Sequence, residues 1–522
     1  MELRDIGRGM PGKDGFREAN IEDELDSSLN LRLSVSYMEE HKFLPLRYNG
    51  ETLVVAFANP RDIETLDDLR AHFGCDIEPV IATQGEILEG IKKYYGEGVE
   101  TIEKMVKDMS EGELVLGDGR GDEISDLKDM ASQAPVIKLV NLIIMEALNK
   151  RASDIHIEAM EDQLRVRYRV DGVLHDISSP PKRFQAAIVS RIKIMSEMNI
   201  AERRLAQDGR IAVRVKDRDI DLRVSTVPTL YGESVVIRIL DKSSILIDME
   251  DLGFSKGVYD TFHRLIMRPH GIILVTGPTG SGKTTTLYSA LNRINSPEKK
   301  IITLEDPVEY QLKGINQIPV KPKIGLTFAS GLRSIVRQDP DVIMIGEMRD
   351  YETAEIAIQS ALTGHLVFST LHTNDASGGV TRLIDMGVEP YLVASSVEAI
   401  LAQRLVRVIC PECKETVAPD KRVLKELGVS SEEISGVTLY KGKGCEACDF
   451  TGYRGRMGIF ELLVMSDSVK ELVLKKKAAN VIKEVAKDEG MIVLRDDGWT
   501  KVLDGVTSIE EVLRVTQDEV LL

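Results

Sequence analysis

The hydrophobic positions of this chain follow different periods in different segments. From residue 245 onward, short apolar runs such as GIILVTG, KIITLED, DVIMIGE and HLVFSTL recur with helical segments between them. Uninterrupted apolar runs of this length are typical of strands buried on both faces, and their alternation with helices predicts a mainly parallel sheet. We therefore predict an α/β domain over residues 245–522.

Strict alternation marks the preceding segment, residues 134–240. In LRVRYRV, residues 164–170, apolar side chains alternate with three arginines, and the following Asp171-Gly172 pair is a favoured hairpin turn. An amphipathic helix is predicted in VIKLVNLIIMEALNK. The pattern indicates a second domain of α+β type, with a mixed sheet and an arginine-rich face.

The first part of the chain carries no cluster of chemically reactive residues. Strand-like and helical patterns over residues 31–95 predict a small α/β module, which we interpret as an adaptor without chemistry of its own. The polar residues 1–30 are predicted to be a mobile lead-in. The acidic, glycine-punctuated residues 96–133 are predicted to be a linker.

Composition narrows the class of protein. Hydrophobic residues make up 43% and charged residues 29% of the 522 residues, which is typical of a globular protein. The net charge of -17 argues against a general nucleic-acid binder. No apolar run approaches the roughly 20 residues that span a bilayer, and the N-terminus does not resemble a secretory signal. We expect a cytoplasmic protein that reaches a membrane only through partners.

The stretch ILVTGPTGSGKTT, residues 273–285, fits the pattern G-x-x-x-x-G-K-[ST] between an apolar strand and a predicted helix. Glycines let backbone N–H groups turn inward around phosphate oxygens at a helix N-terminus. Lys283 would reach the β- and γ-phosphates, and the Thr284 hydroxyl would hold Mg²⁺. The alternative is a glycine-rich turn with an incidental lysine. We predict a nucleoside triphosphate site made of Gly277, Pro278, Thr279, Gly280, Ser281, Gly282, Lys283, Thr284 and Thr285.

Three further strands end in polar residues. Glu347 follows the apolar strand of DVIMIGEMRD, where a carboxylate can orient or deprotonate an attacking water. Gly346 stands where such a strand usually ends in aspartate, so the Mg²⁺ ligand is not evident. LEDPVEY ends in acids, and His365 and His372 flank the strand of TGHLVFSTLHTND. Taken alone, each of these could equally be a solvated surface group or a packed histidine.

The cysteines of CPEC and CEAC form two close pairs, Cys410 with Cys413 and Cys445 with Cys448. Four thiolates make a closed tetrahedral Zn²⁺ site with no position for water, so the site would be structural. The spacing between the pairs exceeds the roughly 15–20 residues of common zinc modules, which predicts a small subdomain at about residues 405–455. Disulfides or an iron–sulfur cluster are the alternatives.

The order of these motifs resembles that of the secretion ATPases, the hexameric motors of type II secretion and type IV pilus assembly. The resemblance runs from about residue 31 to the C-terminus and implies a RecA-like P-loop ATPase core with a PAS-like second domain. It implies that Glu305, Asp306 and Glu309 line the Mg·ATP site and that Glu347 is the catalytic base. His365 and His372 would sense or stabilise the γ-phosphate. Arg210 in RLAQDGRI and Arg223 in LRVSTVP match segments that deliver arginines across a domain or subunit boundary.

The resemblance also implies partners. These are a homo-hexameric ring, a membrane-anchored recruiter bound by the N-terminal module, and an inner-membrane platform protein, so the chain would be attached to the inner membrane peripherally. The tetracysteine element favours the secretion and extension motors over the retraction motors, which lack it. The short lead-in and the single N-terminal module favour type II secretion, with pilus extension as the alternative. A DNA-translocating ATPase and a scaffold that binds ATP without hydrolysis remain as hypotheses from other classes.

Overall fold

The fold is described from a computed structural model of the chain. The structure describes residues 16–17, 19, 21–25, 37–38, 41–50, 52–91, 131–177, 179–215, 218–241, 247–418 and 438–516. Most of the predicted lead-in and residues 96–130 of the predicted linker lie outside these ranges. The chain divides into two compact units: residues 1–143 with 178–184, and residues 144–177 with 185–522. The second unit therefore contains most of both the arginine-bearing domain and the predicted α/β domain.

The first unit contains a small module built on a three-stranded sheet in the order β1-β2-β3. Strands β1 and β2 are antiparallel, and β2 and β3 are parallel, because helix α2 crosses between them. Asp62 caps the start of α2, and Gly74 ends it in the left-handed conformation. The elements are α1 (Ile21–Glu24), β1 (Phe43–Asn49), β2 (Thr52–Phe57), α2 (Ile63–Phe73), β3 (Asp76–Ile81) and α3 (Gln84–Gly90).

Part of the predicted lead-in contacts this module in the structure, at Arg17, Ala19 and Ile21. The backbone N–H of Ala19 donates to the Ile81 carbonyl at 3.0 Å, and the Ile81 N–H donates to the Arg17 carbonyl at 2.9 Å. Ile21 is buried in the core of the module. These residues pair with the open edge of β3, where unpaired backbone groups are a natural template for another segment.

The arginine-bearing domain is built on a six-stranded sheet in the order β6-β5-β4-β9-β8-β7. Every pairing in this sheet is antiparallel, so the prediction of a mixed sheet is wrong, because short hairpins join most neighbouring strands. Asp171 and Gly172 both have positive φ and form the predicted turn between β5 and β6. The elements are α4 (Ala134–Asn149), β4 (Asp154–Ala159), β5 (Leu164–Val170), β6 (Val173–Asp176), α5 (Gln185–Met195), β7 (Gln207–Val215), β8 (Arg218–Thr229) and β9 (Gly232–Asp241).

The remaining residues form the predicted α/β fold around a seven-stranded sheet in the order β12-β11-β13-β14-β10-β15-β18. Its pairings are parallel except for the antiparallel edge strand β18. The strands are β10 (Gly271–Thr276), β11 (Ile301–Glu305), β12 (Asn316–Pro319), β13 (Val342–Ile345), β14 (Leu366–Leu371), β15 (Val397–Ile409) and β18 (Tyr453–Val464). Strands β16 (Lys414–Val417) and β17 (Leu439–Gly442) pair with each other.

Helices cover both faces of this sheet. Ile272 and Leu274 of β10 enter one hydrophobic core, whereas Ile273 and Val275 enter another, as expected for a strand buried on both faces. The helices are α6 (Lys256–Ile266), α7 (Lys283–Ile294), α8 (Phe328–Ile335), α9 (Tyr351–Leu362), α10 (Ala376–Asp385), α11 (Pro390–Ser396), α12 (Asp467–Leu474), α13 (Ala479–Asp488), α14 (Leu494–Leu503) and α15 (Ile509–Thr516).

A search of the described residues for helices with the length and hydropathy of a membrane span finds none.

Candidate functional site

The glycine-rich loop lies between β10 and α7, at the carboxyl edge of the parallel sheet. Gly277 has φ 148°, and a Cβ built there would stand 2.5 Å from the Gln403 carbonyl oxygen and 2.6 Å from Ser281 Oγ. Gly282 has φ 88° and is the residue before the first turn of α7. Both positions therefore require glycine, and the loop places its backbone amides at a helix N-terminus, which favours an anion.

Lys283 is buried beneath this loop. Its ammonium donates to the Gly277 carbonyl at 2.8 Å and to the Pro278 carbonyl at 3.0 Å. Burial and, to a smaller extent, the charge of Arg404 lower the pKa of Lys283, the charge of Glu347 opposes them, and the net result is a pKa of about 8. An anion bound in the loop would favour the charged ammonium and raise this pKa.

A small cavity of about 100 Å³ adjoins the start of α7 and is lined by Thr284, Asp306, Glu309 and Glu347, among others. A cavity of this size is large enough for a cation but too small for a whole nucleotide. Hydroxyl and carboxylate oxygens are the ligands that Mg²⁺ prefers. The residues present therefore fit a magnesium ion accompanying a triphosphate.

Glu347 lies at the carboxyl end of β13, with its side chain 14% exposed. Arg349 Nε is 2.6 Å from one carboxylate oxygen of Glu347, and His372 Nε2 is 3.5 Å from the same oxygen. His372 follows β14 directly, so it reaches the same edge of the sheet as the glycine-rich loop. These contacts hold the Glu347 carboxylate next to the cavity in a defined orientation.

His365 lies elsewhere, so its predicted role at the γ-phosphate is wrong for this arrangement of the chain. It precedes β14, whose Leu366 pairs with Gly271 at the start of β10, whereas the glycine-rich loop follows Thr276 at the end of β10. The length of the strand, about 20 Å, separates the two. The Nδ1 atom of His365 instead lies 2.8 Å from the Ser360 carbonyl oxygen.

The acidic residues after β11 are not equivalent. Asp306 is exposed, and Glu309 is half-buried. The Glu305 side chain is buried in the interior, where it accepts a hydrogen bond from Thr303 Oγ1 at 2.5 Å and another from the Tyr288 hydroxyl. Glu305 lines the cavity, but its carboxylate oxygens already accept hydrogen bonds from protein donors.

The two predicted arginines are cross-strand neighbours on β7 and β8. Arg223 Nη2 donates to the Val308 carbonyl at 3.2 Å, and Arg223 Nη1 lies 3.4 Å from Glu309 Oε2. Arg210 pairs with Asp221 of its own sheet, and its side chain is 61% exposed. Both arginines line a large open cavity of about 1930 Å³ together with Asp306 and Glu309. Arg223 thus contacts the loop of residues 306–312, which we call the acidic loop, whereas Arg210 pairs with Asp221 of its own sheet.

Two polar residues beside the glycine-rich loop were not predicted. Gln403 and Arg404 are buried on β15, where the Gln403 carbonyl oxygen accepts from Arg404 Nη1 at 3.1 Å. Gln403 Oε1 accepts a hydrogen bond from Thr286 of α7 at 2.8 Å. Arg404 Nη2 donates to the Asn374 carbonyl at 2.8 Å, which ties β15 to the loop after His372. The available signal was a Gln-Arg pair interrupting the apolar run ILAQRLVRVI.

The four predicted metal ligands come together. The Sγ atoms of Cys410, Cys413, Cys445 and Cys448 all lie within 4.8 Å of one another. The Cys410–Cys445, Cys413–Cys448 and Cys445–Cys448 pairs are each 3.8 Å apart. This is about the separation expected for thiolates around Zn²⁺ with bonds of roughly 2.3 Å, and it is far longer than a disulfide bond.

Backbone donors support thiolates in this cluster. Amides of Cys445 and Gly452 donate to Cys448 Sγ at 3.2 and 3.3 Å, and the Gly444 amide donates to Cys413 Sγ at 3.3 Å. Burial alone would raise the pKa of Cys448, but the backbone donors outweigh it and lower this pKa to about 7. Four thiols, two buried and two half-buried, with N–H donors to their sulfur atoms fit a structural metal ion such as zinc.

A phosphate-binding loop between a parallel strand and a helix, with a carboxylate on a nearby strand end, defines a P-loop nucleotide-binding protein. Within that class, the chain belongs to the family described as Type II/IV secretion system protein, which matches residues 129–514. Residues 18–101 match the family described as MshEN domain. The predicted resemblance and the predicted α/β fold are thereby confirmed, and membership of this ATPase family supports hydrolysis of Mg·ATP.

Similar proteins include members named for type II secretion and members named for type IV pilus assembly. The chain is 50% identical to the Type II secretion system protein E of Xanthomonas campestris pv. campestris over 93% of this chain and 85% of that protein. It is 48% identical to the Type IV pilus assembly ATPase PilB of Myxococcus xanthus over 91% of this chain and 84% of that protein. The ATPase DotB of Yersinia pseudotuberculosis has the same fold, with a TM-score of 0.55 and 21% identity over 73% of this chain and 94% of that chain.

Proposed function

We propose that the protein is the ATP-hydrolysing motor of a type II secretion system, which converts hydrolysis into domain motion that drives pseudopilus assembly and protein export. The observation that carries the proposal is the convergence of Thr284, Glu347 and the acidic loop on one cavity beside the phosphate-binding loop. This is the constellation that phosphoryl transfer to water needs.

The geometry supports distinct roles for the site residues. The loop amides and Lys283 bind the phosphates, and Thr284 with the acidic residues accommodates the magnesium ion. Glu347 accepts a proton from the attacking water, and His372 orients its carboxylate from 3.5 Å. Arg349, which contacts the same carboxylate oxygen, has to move aside before Glu347 can receive that proton.

Arg223 supports the coupling of chemistry to motion. It belongs to the arginine-bearing sheet, yet it contacts the acidic loop of the ATPase sheet through Val308 and Glu309. A guanidinium matches the charge that spreads over a transferring phosphoryl group. When the charge on the nucleotide changes, this contact changes with it, and the sheet that carries Arg223 shifts.

The assembly and its partners belong to the same proposal. We propose a homo-hexamer in which Arg210 faces a neighbouring site, a membrane-anchored recruiter bound by the N-terminal module of residues 31–95, and an inner-membrane platform protein. Residues 134–240 would serve as the arginine-bearing domain, residues 245–522 as the ATPase domain, and the cysteine-bearing residues 405–455 as a zinc subdomain. Attachment to the inner membrane would be peripheral, from the cytoplasmic side.

Extension of a type IV pilus is the second candidate, because the relative named PilB matches almost as well as the relative named for type II secretion. The two functions share their chemistry and differ in the machinery that they move. Deleting the gene in its host decides between them. Loss of secreted proteins from the medium with surface pili retained supports secretion, and the reverse result supports pilus extension.

Hydrolysis itself is tested with Glu347→Gln, which keeps the size of the side chain but cannot accept the proton. We expect phosphate release to fall by at least about a hundredfold while binding of a fluorescent ATP analogue is retained. Glu484→Gln, at an exposed glutamate outside the site, is the matched control. A wild-type protein that hydrolyses no ATP, alone or with recruiter and acidic phospholipid, would contradict the motor. Stimulation by single-stranded DNA would instead favour a DNA translocase.

A further inference from the structure

A role in binding Mg·ATP does not explain why the Glu305 carboxylate is buried and hydrogen-bonded to protein donors. Glu305 is the last residue of β11 and is only 3% exposed, and although it borders the small cavity, its carboxylate is engaged by buried protein donors. Its carboxylate accepts hydrogen bonds from the Tyr288 hydroxyl, from Thr303 Oγ1 at 2.5 Å and from Gln317 Nε2 at 3.2 Å. A buried carboxylate satisfied by three protein donors is held in place by them and is not free to bind a ligand.

The same hydrogen-bond network reaches the acidic loop, residues 306–312. The Tyr288 hydroxyl, which donates to Glu305, accepts from the backbone amide of Glu309 at 3.4 Å. Gln317 Oε1 accepts from the Leu312 amide at 2.7 Å, and Gln317 Nε2 donates to the Tyr310 carbonyl at 3.1 Å. Tyr288 and Gln317 therefore hold the backbone of the acidic loop at three places.

The other side of the acidic loop contacts the arginine-bearing sheet through Arg223, which donates a hydrogen bond to the Val308 carbonyl. The next residue, Glu309, is the one whose amide donates to the Tyr288 hydroxyl. Tyr288 belongs to α7, the helix that starts with Lys283 of the phosphate-binding loop. The acidic loop is thus held from one side by the phosphate-binding helix and from the other by Arg223.

We propose that Tyr288 and Gln317, through the buried Glu305, are positioning residues that set the acidic loop against Arg223 and so connect the phosphate-binding helix to the arginine-bearing sheet. The role of Glu305 is then to orient the loop rather than to bind nucleotide. This inference rests on the proposed ATPase function and adds to it the connection between its two sheets.

The chemistry of Tyr288 suits this task. Burial raises the pKa of its hydroxyl, and the hydrogen bond and charge of Glu305 raise it further, so the hydroxyl keeps its proton and donates to the carboxylate. One hydroxyl then serves as donor to Glu305 and as acceptor for the loop amide. A phenylalanine would fill the same space and would lose both contacts.

The first test is hydrogen–deuterium exchange of the nucleotide-free protein. Tyr288→Phe should raise exchange in residues 306–312 by about tenfold, because the Glu309 amide loses its acceptor and the Glu305 carboxylate loses a donor. Tyr259→Phe is the matched control, since Tyr259 also donates to a glutamate, Glu250, at 2.6 Å, but in an exposed pair. Gln317→Met, which keeps the chain length without the amide, should reproduce the effect. Unchanged exchange in both Tyr288→Phe and Gln317→Met overturns the inference.

The second test is a double-mutant cycle on hydrolysis. Tyr288→Phe should lower kcat by about tenfold and change KM for ATP by less than about twofold, because the loop is misplaced while the phosphate-binding loop is intact. The double variant Tyr288→Phe/Arg223→Ala should have a kcat only slightly below that of Arg223→Ala alone. Tyr259→Phe should leave kcat unchanged in both the wild-type and the Arg223→Ala protein.

If the fold-losses in kcat caused by Tyr288→Phe and by Arg223→Ala multiply in the double variant, the two residues act independently, and the proposed connection through the acidic loop is overturned. A parallel loss of kcat and of melting temperature, with KM raised, would reduce Tyr288 to a packing residue and would also overturn it. Absence of hydrolysis in the wild-type protein would contradict the proposed function, and the exchange experiment would still decide the positioning role.

Discussion

Arg223 on β8 donates a hydrogen bond of 3.2 Å to the backbone carbonyl of Val308, in the loop that follows β11. The contact joins an antiparallel sheet to a parallel sheet within one chain. Arg210, its cross-strand neighbour, makes no such contact and instead pairs with Asp221. Two arginines that look alike in the sequence therefore make different contacts within this chain: Arg223 contacts the loop after β11, whereas Arg210 pairs with Asp221 of its own sheet.

This difference predicts different behaviour in mixed assemblies. Arg210→Ala and Arg223→Ala should each reduce ATP hydrolysis by about tenfold or more, with nucleotide binding nearly intact, because each removes a charge that acts on the transferring phosphoryl group. Mixing Arg210→Ala chains with Lys283→Ala chains should restore hydrolysis, since some interfaces then combine an intact loop with an intact Arg210. The same mixture with Arg223→Ala should stay inactive. Normal hydrolysis by both single variants would show that neither arginine serves the reaction.

The lowered pKa of Lys283 predicts a pH dependence of nucleotide binding. The pKa is about 8 in the free protein, mainly because of burial, and bound phosphate would raise it. Below pH 8 the ammonium is already charged, so affinity should be flat. Above pH 8 binding must take up a proton, so affinity should fall by up to about tenfold per pH unit.

The measurement is the Kd of a fluorescent ATP analogue between pH 7 and 9.5. Lys283→Arg is the control, because a guanidinium stays charged over this range and its affinity should show no break near pH 8. A wild-type profile that is flat to pH 9.5 would mean that the ammonium is not buried in the free protein.

The cysteine cluster predicts about one zinc ion per chain that resists mild chelators. Cys413→Ser or Cys445→Ser should lose the metal and lower Tm by several degrees, because the metal joins β15 to the β16–β17 hairpin. Cys75→Ser, at a cysteine in the N-terminal module away from the cluster, should change neither quantity. Elemental analysis that finds iron, or no metal together with four titratable thiols, would contradict a zinc site.

The sequence predicted best where a local motif has a local geometry. The phosphate-binding loop needs glycine at residues 277 and 282 first of all because both have positive φ, a local property of the backbone. The Asp171-Gly172 turn and the cap at Gly74 are of the same kind. In each case the residue type limits φ, so the pattern alone is enough.

The sequence was less informative where a contact depends on strand order. His365 and His372 flank one strand and so lie at its opposite ends, but only the parallel pairing of β14 with β10 shows that the His372 end lies beside the phosphate-binding loop. Likewise, LEDPVEY gives no indication that Glu305 faces inward while Asp306 is exposed. Gln403 and Arg404 were missed because the role of a polar residue in a strand depends on what it contacts. Here the neighbouring segment is the phosphate-binding loop, which ends at Gly282, 120 or more residues earlier in the chain.

The C-terminal helix offers a test of how firmly β15 is held behind the phosphate-binding loop. Burial alone would raise the pKa of Glu511, but hydrogen bonds from Arg514 and Arg407 outweigh it and lower this pKa to about 2. Arg407 belongs to β15, the strand that also carries Gln403 and Arg404. A carboxyl whose pKa is lowered on folding stabilises the protein above its unfolded pKa, near 4.5, and this contribution is lost as pH falls toward 2.

Glu511→Gln should therefore lower the free energy of unfolding by about 3 kcal/mol at pH 7, and the difference from wild type should shrink as pH falls below 4.5. Glu510→Gln, at the exposed neighbouring residue, is the control and should change the free energy by less than about 0.5 kcal/mol. Urea unfolding at pH 7, 5 and 3.5 measures both variants. A difference between Glu511→Gln and wild type that stays constant across this range would mean that the ion pair with Arg407 and Arg514 does not form, and that packing alone holds α15 against β15.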